Sequence, residues 1–481
     1  MYIDKKLIIA KNEEKELSII PSMINRHGVI TGATGTGKTI SVKVLAETFS
    51  AAHIPVLITD IKGDVSSLCE EGVSSDSISK RVEKLKLDGF NVSKFPTQFF
   101  DVYGKTGHKL RARIDSFSST LLSRILKLSD SQVGNLNIAL KVAHDENMPL
   151  IDFKDLKIIL NYILENKDTY SMKYGSITTQ SISTINRKLL EFENTNADMF
   201  FGEPELNLND LMKYDGDTGY GMINILDSVE LSKDYNLYST LMLWLLNKIY
   251  ETFPEVGDLE KPKLVLFIDE AHLLFDDMNS DVLKKFTQII KLIRSKGVGV
   301  FLISQSPSDI PEDILSQLGN RIQHNLKAYT PNEMKSVKIA AKSFRENPNL
   351  DTEKSISELS TGEALVSFIN ELGQPEIVER AFILPPQSKI GVVDEITRQN
   401  IINKSDLKST YDVTIDNISA YELINKQNEL KQKEQPKEEI KKEKKKTEKS
   451  KTEKVIDRTI GNAASTFGRK LANSLWNKLF K

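Results

Sequence analysis

The feature that most constrains this chain is a glycine-rich stretch between an apolar run and a helical pattern. It reads Gly32-Ala33-Thr34-Gly35-Thr36-Gly37-Lys38-Thr39, after Val29-Ile30 and before apolar residues at helical spacing. Glycines let a backbone turn closely around a phosphate with its N–H groups pointing inward, and the N-terminus of the next helix adds further unpaired N–H groups. The order of strand, glycine-rich loop and helix is typical of a phosphate-binding P-loop. We therefore expect all eight residues to contact the phosphates of a nucleotide.

The last two residues of the stretch have the most specific predicted roles. Lys38 is expected to reach the β and γ phosphates during catalysis, and the Thr39 hydroxyl is expected to bind a magnesium ion. A glycine-rich turn that binds nothing is the alternative for so short a pattern. Motifs elsewhere in the chain are needed to distinguish a phosphate-binding loop from a turn that binds nothing.

A second motif lies far downstream, where the apolar residues 264–268 are followed by Asp269 and Glu270. This pattern predicts a central strand that delivers two carboxylates to one edge of a sheet. In a P-loop nucleotide hydrolase the first carboxylate completes the magnesium site, and the second can act as general base toward a water within reach. A strand ending in a solvated acidic turn is the alternative, but each motif supplies the context that the other lacks. Together they predict ATP and Mg²⁺ as cofactors, Asp269 as a metal ligand and Glu270 as the catalytic base.

Polar residues at the ends of two more predicted strands are further candidates. Gln305 follows the strand at 297–303 and would sense the γ-phosphate if that strand lies beside the P-loop strand. Asp60, Lys62 and Asp64 follow the strand at 54–58, at the edge where open α/β sheets bind ligands. The alternatives are a plain strand end at Gln305 and a solvated turn at 60–64.

An arginine supplied by a neighbouring subunit can stabilise the charge that develops on a transferred phosphoryl group. Arg111, Arg294 and Arg321 are the candidates. A surface salt bridge is the alternative for each of them.

The alternation of apolar strands and helices predicts an α/β fold with a mainly parallel sheet. We expect residues 1–114 and 213–390 to form two halves of one core, with a helical insertion at 115–212. A linker and charged low-complexity segment at 391–455 and an amphipathic C-terminal helix at 456–481 follow. That basic helix is suited to a protein partner or an anionic membrane surface, and folding back onto the body is the alternative.

Aromatic and basic residues interleave in the segment 89–117. Grooves for nucleic acid use such mixtures, with rings that stack on bases and cations that bind phosphates. A half-buried hairpin, in which Arg111 or Arg113 faces a neighbouring subunit, is the other interpretation.

The charge of the chain is distributed unevenly. Residues 431–481 contain 16 Lys+Arg and 7 Asp+Glu, which leaves 49 and 60 in the preceding 430 residues. An acidic body with a basic tail predicts that any contact with nucleic acid is local.

Cysteine usage points to a reducing compartment, and the spacing of the histidines argues against a zinc site. The single cysteine, Cys69, excludes an internal disulfide, and we find neither a secretory signal nor an apolar run long enough to span a membrane. We expect a cytoplasmic protein. The six histidines lack the spacing of zinc ligands, so zinc is not expected.

Several motifs together resemble the HerA-like and FtsK-type P-loop ATPases, and most of all the bacterial branch called domain of unknown function 853. The resemblance covers about residues 1–390 and rests on these segments: 25–39 (NRHGVITGATGTGKT), 60–64 (DIKGD), 267–272 (FIDEAH), 304–307 (SQSP) and 318–321 (LGNR). Because the P-loop begins at residue 32, the resemblance does not extend to the N-terminal barrel of HerA or to its nuclease partner.

The resemblance implies a RecA-like core, a hexameric ring with ATP at subunit interfaces, and translocation along double-stranded DNA. It also places Lys38, Thr39, Asp269, Glu270 and Gln305 at nucleotide and catalytic positions, and Arg321 at the family's arginine near the nucleotide. DNA as a substrate rests on this analogy alone. The hypotheses are therefore a DNA translocase or helicase, a membrane-recruited ATP-driven assembly factor without a DNA substrate, and a nucleotide-gated binding protein.

Overall fold

One large sheet organises the computed structural model of this chain, which describes residues 1–194, 197–275, 278 and 280–430. Thirteen strands of the described residues belong to this sheet. In chain order they are β1 (Tyr2–Ile3), β2 (Lys6–Lys11), β3 (Glu16–Ile19), β4 (Gly28–Thr31), β5 (Val56–Asp60), β6 (Thr97–Asp101), β7 (His108–Lys109), β8 (Ile223–Asp227), β9 (Leu264–Ile268), β10 (Val298–Ser304), β11 (Asn320–Gln323), β12 (Glu363–Ser367) and β13 (Glu379–Ile383).

Helices cover the sheet and fill the long connection between β7 and β8. They are α1 (Lys38–Ala51), α2 (Asp76–Leu85), α3 (Ser119–Ile125), α4 (Asp130–Asp145), α5 (Phe153–Glu165), α6 (Lys167–Tyr174), α7 (Thr179–Glu193), α8 (Tyr235–Thr252), α9 (His272–Phe275), α10 (Ser280–Ile293), α11 (Glu312–Leu315), α12 (Pro331–Lys342), α13 (Thr352–Glu358), α14 (Glu395–Lys404) and α15 (Lys408–Tyr411). Helices α3 to α7 fall in the segment for which a helical insertion was predicted. None of the described helices combines the length and apolarity needed to cross a bilayer.

The central strands run parallel, as the sequence predicted, in the order β11-β4-β10-β9-β5-β8-β6-β7. Strands β5, β9 and β10 are buried along their whole length, which explains their continuous apolar sequences. Strand β10 lies between β4 and β9, with Leu302 opposite both Val29 and Ile268. The P-loop strand and the acidic strand therefore end at the same edge of the sheet, one strand apart.

Antiparallel strands complete the sheet on the side of β11. Strand β12 pairs with β11 and with β13, and β13 pairs with β2. The paired strands predicted at 364–369 and 377–384 are therefore present, and the N-terminal strands extend the same sheet.

Helix α1 is held against the sheet by an aromatic cluster. Phe267 of β9 and Phe301 of β10 are cross-strand neighbours with ring centroids 5.2 Å apart, and Phe49 of α1 packs over both at 6.0 and 5.9 Å. All three rings are buried, and burial of each phenyl group contributes about 2–3 kcal/mol. This contact fixes the helix whose first turn carries Lys38 and Thr39.

The segment 89–117 does not form the predicted hairpin, and three of its aromatic rings lie in the core. Strands β6 and β7 pair in parallel, so a hairpin is wrong. The rings of Phe95, Phe99 and Phe100 are buried and unable to stack on bases, because they belong to the core. The guanidinium of Arg111 is also buried and donates to the carbonyl oxygen of Tyr411 at 2.9 Å.

The chain after β13 crosses the sheet as a belt, which we define as residues 385–411. Glu47 of α1 accepts hydrogen bonds from the main-chain N–H groups of Gln387 (2.8 Å) and Ser388 (3.0 Å). Further along, Arg398 of α14 is buried and donates to Asp227 at the end of β8, at 2.8 Å. The predicted linker at 391–455 thus begins with two packed helices, because α14 and α15 bury Arg398 and Tyr411.

The chain divides into two units, Met1–Asn417 and Ile418–Lys481. All elements named above belong to the first unit. In the second, residues 420–430 are helical. The charged segment from 431 and the predicted helix at 456–481 lie outside the described residues.

Candidate nucleotide-binding site

The glycine-rich stretch forms the turn between β4 and α1. Gly32 has a φ of 155° and Gly37, which caps α1, has a φ of 120°, values that side-chain-bearing residues rarely adopt. A Cβ added at Gly32 would lie 2.5 Å from the Cβ of His324. The loop therefore depends on glycine for both its dihedral angles and its close approach to His324.

Lys38 folds over the loop that it follows. Its Nζ donates to the carbonyl oxygens of Gly32 (2.5 Å) and Ala33 (3.3 Å). Burial lowers the pKa of Lys38, and Lys62 adds to this, whereas Glu270 and Asp269 act in the opposite direction. The ammonium group of Lys38 therefore interacts electrostatically with both carboxylates of the acidic motif. Phosphate oxygens would be stronger hydrogen-bond acceptors for this ammonium than the loop carbonyl oxygens.

The end of β9 is fixed by hydrogen bonds from its neighbours. The N–H of Asp269 donates to the hydroxyl of Thr59 (2.9 Å), and the Tyr238 hydroxyl donates to the carbonyl oxygen of Asp269 (2.8 Å). Burial raises the pKa of Asp269 to about 6, with Lys62 opposing and Glu270 adding to the shift. A cation next to Asp269 would offset this unfavourable charge.

Glu270 adopts an unusual backbone conformation. Its φ is 45°, in the left-handed region that residues other than glycine and asparagine rarely occupy. The N–H of Glu270 donates to Asp269 Oδ1 at 2.9 Å. Burial alone would raise the pKa of Glu270, but Lys62 and His272 hold it below its usual range. Backbone strain of this kind is common at functional sites.

The segment 60–64 belongs to the same cluster and is not a solvated turn. Asp60 is 3% exposed, and its Oδ1 accepts the N–H of Gly63 at 2.7 Å. Lys62 Nζ lies 2.9 Å from Glu270 Oε1, and the Thr39 hydroxyl donates to Asp64 Oδ2 at 2.9 Å. Burial, together with the nearby charge of Asp64, raises the pKa of Asp60 to about 7.

The oxygen donors at this edge fit a magnesium ion. Mg²⁺ prefers hard oxygen ligands and binds one or two protein groups together with waters and substrate phosphates. The Thr39 hydroxyl and the Asp269 carboxylate are such groups, and Asp64 is hydrogen-bonded to the former. The described residues contain no group of three or more acidic, His or Cys side chains arranged as a metal site, so a site here would depend on phosphate and water ligands.

Gln305 lies where the sequence predicted, at the end of a strand beside the P-loop strand. Ser304 of β10 is opposite Thr31 of β4, and Gln305 follows with an exposed side chain. Asp309 shapes the turn, because its Oδ2 accepts hydrogen bonds from the Ser304 hydroxyl (2.7 Å) and the Ser306 N–H (2.8 Å). The sensing role of Gln305 stays a prediction.

The structure does not bring the candidate arginines to the P-loop. Arg321 donates to the carbonyl oxygens of Leu318 (3.1 Å), Ser343 (2.9 Å) and Leu315 (3.0 Å). Arg294 precedes β10 and so lies at the opposite edge of the sheet. Arg111 is buried beneath Tyr411. A catalytic role of Arg321 stays a prediction that requires its guanidinium to leave three carbonyl partners.

His324 is a P-loop neighbour that the sequence reasoning missed. Its Nδ1–H donates to the carbonyl oxygen of Glu363 (2.9 Å), because a carbonyl only accepts, and its Nε2 therefore accepts the Ser41 hydroxyl (2.8 Å). Burial lowers the pKa of His324 to about 4, so the ring is neutral. The sequence feature that could have identified His324 is its position directly after β11, the strand that pairs with the P-loop strand β4.

The sheet order, the P-loop and the acidic end of β9 define a RecA-like P-loop NTPase. The chain belongs to the helicase HerA-like C-terminal family, whose model matches residues 5–481.

Individual relatives agree with this assignment. The DNA double-strand break repair helicase HerA of Sulfurisphaera tokodaii is 26% identical over 367 residues, which cover 73% of this chain and 64% of the relative. The DNA import protein CedB of Sulfolobus acidocaldarius is 24% identical over 359 residues, which cover 73% and 51%. The chain thus spans less than two thirds of the length of these curated relatives.

Among solved structures, the plasmid coupling protein TrwB in complex with a non-hydrolysable GTP analogue has a TM-score of 0.53. It is 14% identical, and the match covers 82% of this chain and 93% of TrwB. At this identity the likeness shows the fold alone.

Proposed function

We propose that this protein is a magnesium-dependent ATP hydrolase of the HerA/FtsK type that assembles into a ring, with a hexamer as the expected form, and acts as a DNA translocase or helicase. The observation that carries the proposal is the meeting of the P-loop with the acidic end of β9. The segment 60–64 connects them, since Asp64 is hydrogen-bonded to Thr39 and Lys62 is paired with Glu270.

Each side chain of the site is proposed to have a separate role in ATP hydrolysis. Lys38 and the loop N–H groups bind the phosphates, while Thr39 and Asp269 would hold the metal ion. When bound, Mg²⁺ would neutralise charge on the β- and γ-phosphate oxygens. Glu270 accepts a proton from the attacking water, and Gln305 contacts the γ-phosphate.

A Glu270→Gln substitution tests the catalytic part of the proposal. The amide keeps the shape of the side chain but is unable to accept the proton, so turnover of Mg-ATP should fall by about 10²–10⁴-fold while ATP affinity is retained. The control is Glu230→Gln, because Glu230 is a half-exposed residue at the same edge that pairs with Lys105. Unchanged turnover in Glu270→Gln would remove Glu270 from this role.

DNA is proposed as the substrate because the names of HerA and CedB both refer to DNA. Duplex DNA should stimulate ATP turnover, and electron microscopy of the full chain with a non-hydrolysable ATP analogue should reveal a ring. A monomer under these conditions, together with turnover that ignores DNA, would contradict the translocase.

A second candidate is a membrane-recruited assembly factor in the cytoplasm. It is favoured by the segment 456–481, where Ile456, Ile460, Ala464, Phe467, Leu471, Leu475 and Leu479 repeat at helical spacing among basic residues. Such a helix binds anionic surfaces. Sedimentation with anionic liposomes that is lost on deletion of residues 431–481 would support this candidate, and DNA stimulation that survives the deletion would favour the first.

A further inference from the structure

An ion pair without a role in the function proposed above lies at the centre of the site. Lys62 Nζ approaches Glu270 Oε1 to 2.9 Å, with side-chain exposures of 40% and 9%. The other carboxylate oxygen, Glu270 Oε2, is buried and accepts no hydrogen bond from the residues that the structure describes. Nδ1 of the His272 imidazole lies 3.3 Å from this oxygen. One oxygen of the carboxylate is therefore held by Lys62, and the other has no hydrogen-bond donor among the described residues.

The fold places Lys62 at this position by strand order. Strands β5 and β9 are adjacent, with Ile58 opposite Phe267, so the residues after the two strands meet at the sheet edge. A tight turn directs Lys62 toward β9, since Gly63 has a φ of 79° and its N–H is bound by Asp60. The lysine side chain is long enough for its Nζ to reach Glu270 Oε1.

We infer that Lys62 is a positioning residue for ATP hydrolysis. Its ammonium fixes Glu270 Oε1 and leaves Oε2 directed to the attacking water. In the hydrolytic step Oε2 takes one proton from the water, the water oxygen bonds to the γ-phosphorus, and the β–γ bridging oxygen leaves with the electron pair of the broken bond. This inference rests on the proposed function, because it takes Glu270 as the base.

The competing role for Lys62 is direct binding of phosphate. Lys62 and Lys38 are close enough for each charge to disfavour the other, and two such cations would bind an anion between them. The two roles differ in what they predict. A positioning residue acts through Glu270 and affects turnover, whereas a phosphate ligand affects nucleotide affinity and acts independently of Glu270.

The test uses the full chain with the substitutions Lys62→Met, Lys62→Arg, Glu270→Gln and the double change Lys62→Met/Glu270→Gln. The control is Lys105→Met, which removes a similar ion pair, Lys105 to Glu230 at 2.7 Å, from the exposed surface. Turnover number and KM are measured with Mg-ATP, and the Kd of a non-hydrolysable ATP analogue is measured by calorimetry. Retained analogue binding shows that each variant is folded.

We expect Lys62→Met to lower kcat by about 10- to 100-fold, the usual effect of misplacing a catalytic group, with the analogue Kd changed less than about threefold. Lys62→Arg should restore part of kcat, and the double variant should be no slower than Glu270→Gln.

Three results would overturn the inference: an unchanged kcat in Lys62→Met, a loss of analogue affinity that matches the loss of kcat, or a double variant in which the two losses multiply. These results are distinct from failure of the proposed function. That failure would appear as absent ATP turnover in the unsubstituted chain or as full turnover in Glu270→Gln.

Discussion

Gly32→Ala tests whether the P-loop depends on close packing against His324. The new Cβ would lie 2.5 Å from His324 Cβ and 2.9 Å from Thr36 Oγ1. Ordinary carbon contacts begin near 3.4 Å, so a shift of almost 1 Å is needed. His324 resists this shift because its N–H donates to the Thr31 carbonyl oxygen at 2.7 Å and its ring is bound at both nitrogens.

The expected loss of stability follows from two contributions. Overpacking a well-filled site costs about 1–3 kcal/mol, and an alanine at a φ of 155° adds about 1–3 kcal/mol of backbone strain. The free energy of unfolding, measured by urea denaturation followed by circular dichroism, should therefore fall by about 2–6 kcal/mol. Nucleotide affinity should fall as well, because relief of the clash displaces the loop.

Matched variants separate the clash from a general effect of alanine. Gly134 lies exposed within α4 and has no atom within 4 Å of an added Cβ, so Gly134→Ala should stabilise by about 0.5–1 kcal/mol. His324→Gly removes the atom that clashes, and it should recover part of the loss when combined with Gly32→Ala. Equal stability of Gly32→Ala and the unsubstituted chain, or strict additivity in the double variant, would refute the reasoning.

Two further predictions concern pH. The pKa of Asp60 is raised to about 7 in the folded state, so the folded protein binds more protons than the unfolded chain, and the contribution of Asp60 to stability falls as pH rises from about 4 to 7. The substitution Asp60→Asn should therefore stabilise the protein at about pH 8 and not near pH 4. An equal effect at both pH values would contradict the shift. Burial lowers the pKa of His27 to about 4, while its Nε2–H donates to Ile290 (2.8 Å) and its Nδ1 accepts the N–H of Val300 (3.1 Å). The stability that His27 provides over His27→Ala in urea titrations should be complete above about pH 6.5 and decrease as pH falls toward 4, and a difference that is constant with pH would show that the imidazole is not buried as a neutral group.

The sequence predicted the central part of the fold because that part has strongly patterned residues. Buried parallel strands require continuous apolar runs, so β5, β9 and β10 could be recognised from composition and length. Polar residues directly after these strands could also be recognised from the sequence as site candidates. They are Asp60, Lys62, Asp64, Asp269, Glu270 and Gln305.

The errors have physical causes that a single sequence does not reveal. Strand β6 pairs with the distant strand β8 as well as with β7, and both pairings are parallel. Interleaved aromatic and basic residues have the same sequence pattern in a core as in a nucleic-acid groove. The role of Arg321 near a nucleotide stays a prediction; within the chain its guanidinium donates to the carbonyl oxygens of Leu315, Leu318 and Ser343, contacts that the sequence pattern does not reveal. His324 was considered only as a metal ligand, and its contact with the P-loop arises from the pairing of β11 with β4.

The belt at 385–411 has a mechanical consequence for nucleotide binding. It is hydrogen-bonded to the P-loop helix through Glu47 and to the end of β8 through Asp227. A displacement of α1 on nucleotide binding would therefore pull on β8 through a covalent tether, in addition to any strain transmitted through the strands. A shortened protein ending at residue 390 would keep every side chain proposed to touch ATP and would still lose this coupling, with Asp227 left without its arginine.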